Sequence, residues 1–162
     1  MKRLIAVFVL LAAPLGAQAS PQLASEWGNR AANLHTETTD LITAIDTGAH
    51  PDVTLQYLID IERFSSTATK LGTWIDTSEG AQDLGCIFRG MAAEGQLQLE
   101  TLDTTADIIQ SRKALRRLAT MFADAELIAL ASTRRSAMPH SSMTAQVQSC
   151  PASAASAFGA LH

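Results

Sequence analysis

The feature that most constrains this chain is a set of four long stretches in which apolar side chains recur every three or four residues. Such spacing places the apolar groups on one side of an α-helix, and that side is normally buried against another helix. The spacing therefore predicts an all-α protein built as a four-helix bundle. The predicted core positions are, in chain order, Trp27, Ala31, Leu34, Thr38, Leu41 and Ile45; Tyr57, Ile61, Phe64, Ala68, Leu71 and Ile75; Leu84, Phe88, Met91, Gly95, Gln98 and Leu102; and Ile108, Ser111, Leu115, Leu118, Phe122, Ala125 and Ala129.

Capping and breaking residues predict where these helices begin and end. Ser25 is expected to cap the start of the first helix, and Gly48 is expected to end it. Pro51 is expected in the first turn of the second helix, where its missing N–H is not needed. The third helix is expected from about residue 81 to residue 102, after a turn over residues 76–80.

The boundary between the third and fourth helices has no glycine or proline to mark it. The apolar pattern steps by six residues from Leu102 to Ile108, whereas a continuous heptad pattern steps by seven. Continuing the frame of the third helix would also place Arg112 and Arg116 in the core. A turn near residues 103–105 is therefore predicted, and with it an up-down-up-down arrangement of four antiparallel helices.

The N-terminus has the pattern of a secretory signal peptide over residues 1–19. Two basic residues precede an apolar run over residues 4–13, and Ala17-Gln18-Ala19 fits the small-x-small rule for cleavage before Ser20. A membrane-spanning helix needs about 20 apolar residues, so stable membrane insertion after cleavage is not expected. The prediction is a cleaved, periplasmic or secreted protein, with an uncleaved anchor as the alternative.

Cleavage would leave a bundle over residues 20–132 and a Ser/Ala-rich C-terminal tail over residues 133–162. Residues 151–161 of this tail could form a short fifth helix. The two cysteines, Cys86 and Cys150, are predicted to form a disulfide that ties the tail back to the third helix, because lone cysteine pairs usually join in an oxidising compartment. Free thiols or an intermolecular bridge are the alternatives.

The charge of the mature chain argues against nucleic-acid binding. Residues 20–110 carry 4 basic and 14 acidic side chains, a net charge of −10, whereas residues 111–162 carry 6 basic and 2 acidic, a net charge of +4. A mature net charge of −6 does not favour a polyanionic ligand.

Sequence motifs give no indication of catalysis. The chain lacks H-E-x-x-H, G-x-S-x-G, a phosphate-binding glycine loop and a dinucleotide fingerprint. The carboxylates fall on the polar sides of the predicted helices. We therefore expect a non-catalytic binding protein without a cofactor, whose partner is another protein; its format is shared with inhibitors, immunity proteins and chaperones. An enzyme without a recognisable motif is one alternative, and a structural role through dimerisation of the apolar surface near Leu127 and Leu130 is another.

The basic residues Arg112, Lys113, Arg116 and Arg117 form the clearest polar feature. Their spacing places four positive charges on one side of the fourth helix, which predicts docking to an acidic partner. The alternative is pairing within the bundle, with acidic neighbours such as Glu94, Glu100 or Asp103.

The tail contains three soft metal ligands within six residues, Met138, His140 and Met143. Thioether and imidazole groups suit Cu(I), so a copper carrier is a further alternative. Small residues along the predicted core allow either close approach of the helices or a cavity for an apolar ligand. These small residues are Ala31, Thr38, Ala68, Gly95, Ser111 and Ala125.

Overall fold

The computed structural model describes residues 19–77 and 82–135, and these two ranges are helical with no strand. Four helices follow one another: α1 (Ala19–Asp46), α2 (Leu55–Thr77), α3 (Gln82–Thr104) and α4 (Ile108–Arg135). The all-α prediction is confirmed. None of these four helices has an apolar stretch long enough to cross a membrane.

The helices pack as a bundle in which each one contacts two neighbours. α1 packs against α4 and α2, and α3 packs against α2 and α4. Contacting residues run in opposite directions along α1 and α4, along α1 and α2, and along α2 and α3, so all neighbouring helices are antiparallel. The contacts that show this are Gly28–Ala129 and Asp46–Arg112 between α1 and α4, Trp27–Phe64 and Thr38–Tyr57 between α1 and α2, and Gly72–Gly85 and Ser65–Gly95 between α2 and α3.

The centre of the bundle is filled by one large aromatic side chain from each helix. Trp27 stacks on Phe64 with ring centroids 4.8 Å apart, and the edges of Phe88 and Phe122 meet this pair at centroid distances of 5.0 Å. The indole N–H of Trp27 donates to the backbone carbonyl of Phe64 at 3.1 Å. Aromatic pairs of this geometry add to the free energy of burial and fix the relative rotation of the four helices.

The predicted core positions lie in the interior, as the helical spacing indicated. Most are buried, and those nearest the helix ends are partly buried. The partly buried positions are Leu41, Ile45, Leu84, Ile108 and Ser111.

Small residues bring two of the helix pairs into close contact. A Cβ atom added to Gly28 in α1 would lie 2.5 Å from Cβ of Ala129 in α4. In the other pair, a Cβ on Gly72 of α2 would lie 3.1 Å from the carbonyl oxygen of Gly85 in α3, and one on Gly95 would overlap the hydroxyl of Ser65. Of the small residues predicted along the core, Gly95 lies in such a contact, and there the structure shows close approach of the helices.

The start of α1 differs from the prediction. Ser25 does not cap the helix, because α1 begins at Ala19 and Ser25 is an exposed residue within it. Pro21 falls in the first turn, where the helix tolerates proline. Leu23 and Ala24 pack on the core and so favour the extra turns.

The end of α1 is as predicted, with Gly48 in the left-handed conformation at φ 88°. The N–H of Gly48 donates to the carbonyl of Ile45 at 3.0 Å, and the N–H of Ala49 donates to that of Ala44 at 2.9 Å. These two hydrogen bonds form a Schellman motif, which satisfies the last carbonyls of the helix.

The start of α2 also differs from the prediction. The helix begins at Leu55, so Pro51 lies in the loop before it and not in its first turn. The hydroxyl of Thr54 accepts a hydrogen bond from the N–H of Tyr57 at 3.1 Å. Thr54 is therefore the N-cap, and a capping hydroxyl outweighed the proline as the start signal.

The turn between α3 and α4 is confirmed. α3 ends at Thr104 and α4 begins at Ile108. The carboxylate of Asp107 accepts a hydrogen bond from the N–H of Ile109 at 2.9 Å and caps α4. This break keeps Arg112 out of the core, with about two fifths of its side chain exposed.

Candidate binding surfaces

The predicted basic cluster straddles the outer side of α4 and divides between two neighbouring helices. Arg112 and Arg116 both pair with Asp46 at the end of α1, at 2.5 Å and 3.4 Å. Arg117 turns to α3 and makes two hydrogen bonds to Glu94, at 2.6 Å and 3.1 Å. Lys113 is exposed between them. Three of the four residues are thus engaged within the bundle.

The pair between Arg117 and Glu94 consists of two hydrogen bonds to a largely buried carboxylate. The side chain of Glu94 is only 16% exposed and also accepts a hydrogen bond from the amide of Gln98 at 2.9 Å. Its hydrogen bonds raise the pKa of Arg117, since they favour the charged guanidinium. The sequence named Glu94 as a possible partner, and this is confirmed.

Asp46 is the partner that sequence reasoning missed. Asp46 is far from Arg112 and Arg116 in the sequence, and only the antiparallel packing of α1 on α4 brings the three side chains together. Two arginines around one carboxylate at a helix C-terminus also offset the unfavourable position of a negative charge there. The cluster therefore stabilises the position of α4 between α1 and α3.

The other described arginines are used in the same way. Each of the six arginines whose side chains the structure describes forms an ion pair with a carboxylate of the bundle. These pairs are Arg30–Asp60, Arg63–Asp60, Arg89–Asp76, Arg112–Asp46, Arg116–Asp46 and Arg117–Glu94.

An open groove of about 680 Å³ lies on the outer side of the α2–α3 pair. Its walls come from the first two turns of α2 and the last two turns of α3. The side chains that line it are Leu55, Leu58, Ile59, Glu62, Gln96, Leu97, Leu99, Glu100 and Asp103. Because α2 and α3 are antiparallel, both walls belong to the same end of the bundle.

Two leucines in this groove are largely exposed to solvent. Leu55 is 73% exposed and Leu97 is 54% exposed. Both lie outside the core spacing of their helices, so the bundle can form without burying them. Single exposed apolar residues are common on protein surfaces, but a cluster in a concave site marks a binding surface.

Three carboxylates stand around these apolar groups. Glu62, Glu100 and Asp103 are exposed, and none of them forms an ion pair with a basic group of the described residues. Sequence reasoning named Glu100 and Asp103 only as partners for the basic cluster, and the structure pairs neither with it. In the sequence, the groove is indicated only by leucines that fall outside the core spacing of their helices and lie close to acidic residues.

The interior of the described helices holds few polar side chains. Those that are buried are Thr38, Ser65 and Gln98, so no carboxylate or histidine is buried within the described ranges. The hydroxyls of Thr38 and Tyr57 lie 2.7 Å apart, and that of Ser65 donates to the carbonyl of Ile61 at 3.0 Å. Burial raises the pKa of Tyr57. These groups hydrogen-bond within the bundle and support its packing.

Several predicted features fall outside the described residues. They are residues 1–18 of the predicted signal peptide (residues 1–19), Cys150, the short helix over residues 151–161, and the copper ligands Met138, His140 and Met143. Cys86 lies near the start of α3, and a guanidinium nitrogen of Arg89 donates to its sulfur at 3.5 Å. The disulfide and the copper site stay predictions. Within the described ranges no group of histidine, cysteine and carboxylate side chains is placed to hold a metal ion.

The groove thus combines exposed apolar side chains with carboxylates that have no basic partner among the described residues. Comparison with protein-family models, with curated proteins and with solved structures gives no match to this chain.

Proposed function

We propose that this protein is an exported, non-catalytic binding protein that holds another protein in the groove between α2 and α3. The observation that carries the proposal is the juxtaposition of exposed leucines and unpaired carboxylates in one concave site. An apolar floor supplies binding energy and a charged rim supplies specificity, which is the usual composition of a protein interface.

The basic cluster is a less suitable docking surface for the partner. Its three arginines already have carboxylate partners on α1 and α3. An acidic partner would have to replace these contacts and would gain little from a net exchange of exposed ion pairs. The groove requires no such exchange.

Export is proposed from the N-terminal sequence, with cleavage before Ser20 and release into the periplasm or beyond. A disulfide between Cys86 and Cys150 is proposed with it. α4 ends at Arg135, at the end of the bundle where α3 begins, and the fifteen residues that follow are long enough to reach Cys86. A denatured mass about two hydrogens below that of the reduced mature chain would confirm the bridge, and the full reduced mass would exclude it.

The test of binding is a matched pair of double substitutions in the full-length exported protein. Leu55→Ser with Leu97→Ser removes two exposed leucines from the groove. Ile109→Ser with Leu127→Ser removes two apolar residues of α4 that are at least comparably exposed, Ile109 at 71% and Leu127 at 67%. Since none of the four is a core residue, each double variant is expected to fold, as checked by circular dichroism and thermal unfolding.

The measurement is retention of a partner from an extract of the source cells on immobilised protein, quantified by mass spectrometry. A protein retained by the wild type and by the α4 variant, and lost with the groove variant, is the expected result. Equal retention by all three forms would contradict the proposal. Loss with the α4 variant alone would assign the partner to the outer side of α4.

A further inference from the structure

We infer that the groove between α2 and α3 takes a cationic amphipathic helix, that is, a partner segment with apolar residues on one side and lysine or arginine along its edges. The inference rests on the proposed function and deepens it, because it specifies the chemistry of the partner. It follows from the length of the groove, from the carboxylates Glu62, Glu100 and Asp103 at its rim, and from the pairing of the described arginines with other carboxylates.

The length of the groove matches a short piece of helix. The groove runs along α2 from Leu55 to Glu62 and along α3 from Gln96 to Asp103. Seven residues of helix rise about 10 Å, so each wall is about two turns long. A partner helix with apolar residues at positions i, i+3 or i+4, and i+7 presents an apolar stripe of the same length.

The charged rim surrounds the apolar floor at both ends. Because the helices are antiparallel, Asp103 lies at the end of the groove near Leu55, and Glu62 lies at the opposite end. Glu100 stands between them on the α3 wall. A partner that covers the leucines therefore brings its flanking side chains close to all three carboxylates.

Among the described side chains, no lysine or arginine pairs with a carboxylate of this rim. All six described arginines pair with other carboxylates, and the three carboxylates of the groove are in none of those pairs. Residues 20–110, which contain the whole groove, carry a net charge of −10. Charge complementarity thus requires a positively charged occupant.

The C-terminal tail of the same chain does not meet this requirement. Residues 136–162 contain no lysine and no arginine. An apolar segment from the tail would leave the carboxylates without counter-charges and would desolvate them in part. A separate cationic partner is the occupant that the rim fits.

The test uses three synthetic peptides of about 18 residues, or five helical turns. The first places leucine on one side of a helix and lysine on the other. The second has glutamate in place of lysine, and the third has the leucine and lysine of the first in scrambled order. Binding to the full mature protein is measured by fluorescence anisotropy, and helix formation in the bound peptide by circular dichroism.

The amphipathic leucine–lysine peptide is expected to bind and become helical, and the other two peptides to bind at least tenfold more weakly. Replacing the rim by Glu62→Gln, Glu100→Gln and Asp103→Asn is expected to weaken binding about tenfold, as does raising the salt from about 50 to about 500 mM. The matched control is Glu26→Gln, Glu37→Gln and Asp40→Asn on the exposed side of α1, which is expected to leave the affinity unchanged.

Equal weakening by the rim and control substitutions would overturn the inference, since it would show attraction to net charge alone. Binding of the glutamate peptide as tightly as the lysine peptide would also overturn it. A dimer of the protein that the rim substitutions dissociate would assign the groove to a second copy. If the peptides fail but a natural partner is still lost with Leu55→Ser and Leu97→Ser, the proposed function holds and the cationic chemistry is wrong.

Discussion

The two close helix pairs, α1–α4 and α2–α3, leave hollows of different size on their outer sides, although the helices in each pair approach one another in the same way. Both pairs use glycine at the contact, Gly28 in the first and Gly72, Gly85 and Gly95 in the second. The α1–α4 side leaves a hollow of only about 100 Å³. The α2–α3 side leaves a groove of about 680 Å³.

The difference arises from the residues beside the contact. The α1–α4 hollow is lined mostly by small or short polar side chains, and at the far end of this side Asp46 is enclosed by two arginines. The α2–α3 groove has leucines and isoleucine on its walls and carboxylates without basic partners. Close packing of the backbones therefore does not determine whether a surface is closed or open for binding. The flanking side chains determine it.

The largest expected effect is at the α1–α4 contact. Gly28→Ala places a methyl group against Cβ of Ala129, an atom that can shift only together with its own backbone. We expect a loss of about 1–2 kcal/mol in the free energy of unfolding, because the cost of overpacking exceeds the gain in helix propensity. Urea unfolding followed by circular dichroism measures it.

Two further variants make this test specific. Adding Ala129→Gly to Gly28→Ala exchanges the two residues across the contact and is expected to restore most of the stability. Gly95→Ala, in the α2–α3 pair, meets the hydroxyl of Ser65, which can rotate, so its cost is expected to be smaller. A stable Gly28→Ala protein would show that α1 and α4 can move apart, and the comparison between the two pairs would fail.

A moderate effect is expected at Tyr57, which lies in the interior between α1 and α2 beside the groove end of the bundle. Tyr57→Phe removes a hydroxyl 2.7 Å from that of Thr38 and is expected to cost about 1 kcal/mol at neutral pH. Burial raises the pKa of Tyr57, so the folded protein keeps the phenol protonated where the unfolded chain ionises it, above a pH of about 10. This contribution to stability is fully present below that pH and is lost as the pH rises towards the raised pKa.

The wild type should therefore lose stability above about pH 10 more steeply than the Phe variant does, whereas below about pH 9 the two should change alike. Tyr57 is the only tyrosine of the chain, so the ultraviolet absorbance of tyrosinate reports its ionisation directly. Equal pH dependence of the two proteins, or ionisation of Tyr57 in the folded state near pH 10, would contradict the interpretation.

The smallest effect is expected at the ion pairs that lie over the α1–α4 side. Asp46→Asn removes the carboxylate shared by Arg112 and Arg116. Because these groups are partly exposed, the loss in stability is expected to stay below about 1 kcal/mol and to shrink at high salt. Asp40→Asn, on the same helix, is the control. Melting temperatures at low and high salt measure both, and a salt-independent loss would point to a packing role for Asp46.

Much of the fold could be predicted from the sequence because helical periodicity is local. The spacing identified the buried side of every helix and the break near residue 104, since each core position depends on neighbours three or four residues away. The helix starts were less predictable. At Ser25 and Pro51 the start signals were outweighed by the packing of Leu23 and Ala24 and by the Thr54 cap.

The residues of the candidate site could not be predicted from the sequence, because the site depends on how the helices pack against one another. The sequence showed a cluster of four basic residues in the first half of α4 and an acidic first part of the chain, but not which charges would meet. Arg112 meets Asp46 from α1, and Arg117 meets Glu94 from α3, only after the helices have packed in one register. The same register leaves Glu62, Glu100 and Asp103 without basic partners around exposed leucines.

By itself, the sequence determined the four helices of the described ranges and which side of each is buried, because a 3.6-residue repeat defines both. Only the tertiary structure decided which carboxylates were neutralised and where a groove stayed open. Those outcomes depend on the distance and rotation between helices, and these were set by glycine contacts and by four aromatic rings at the centre of the bundle.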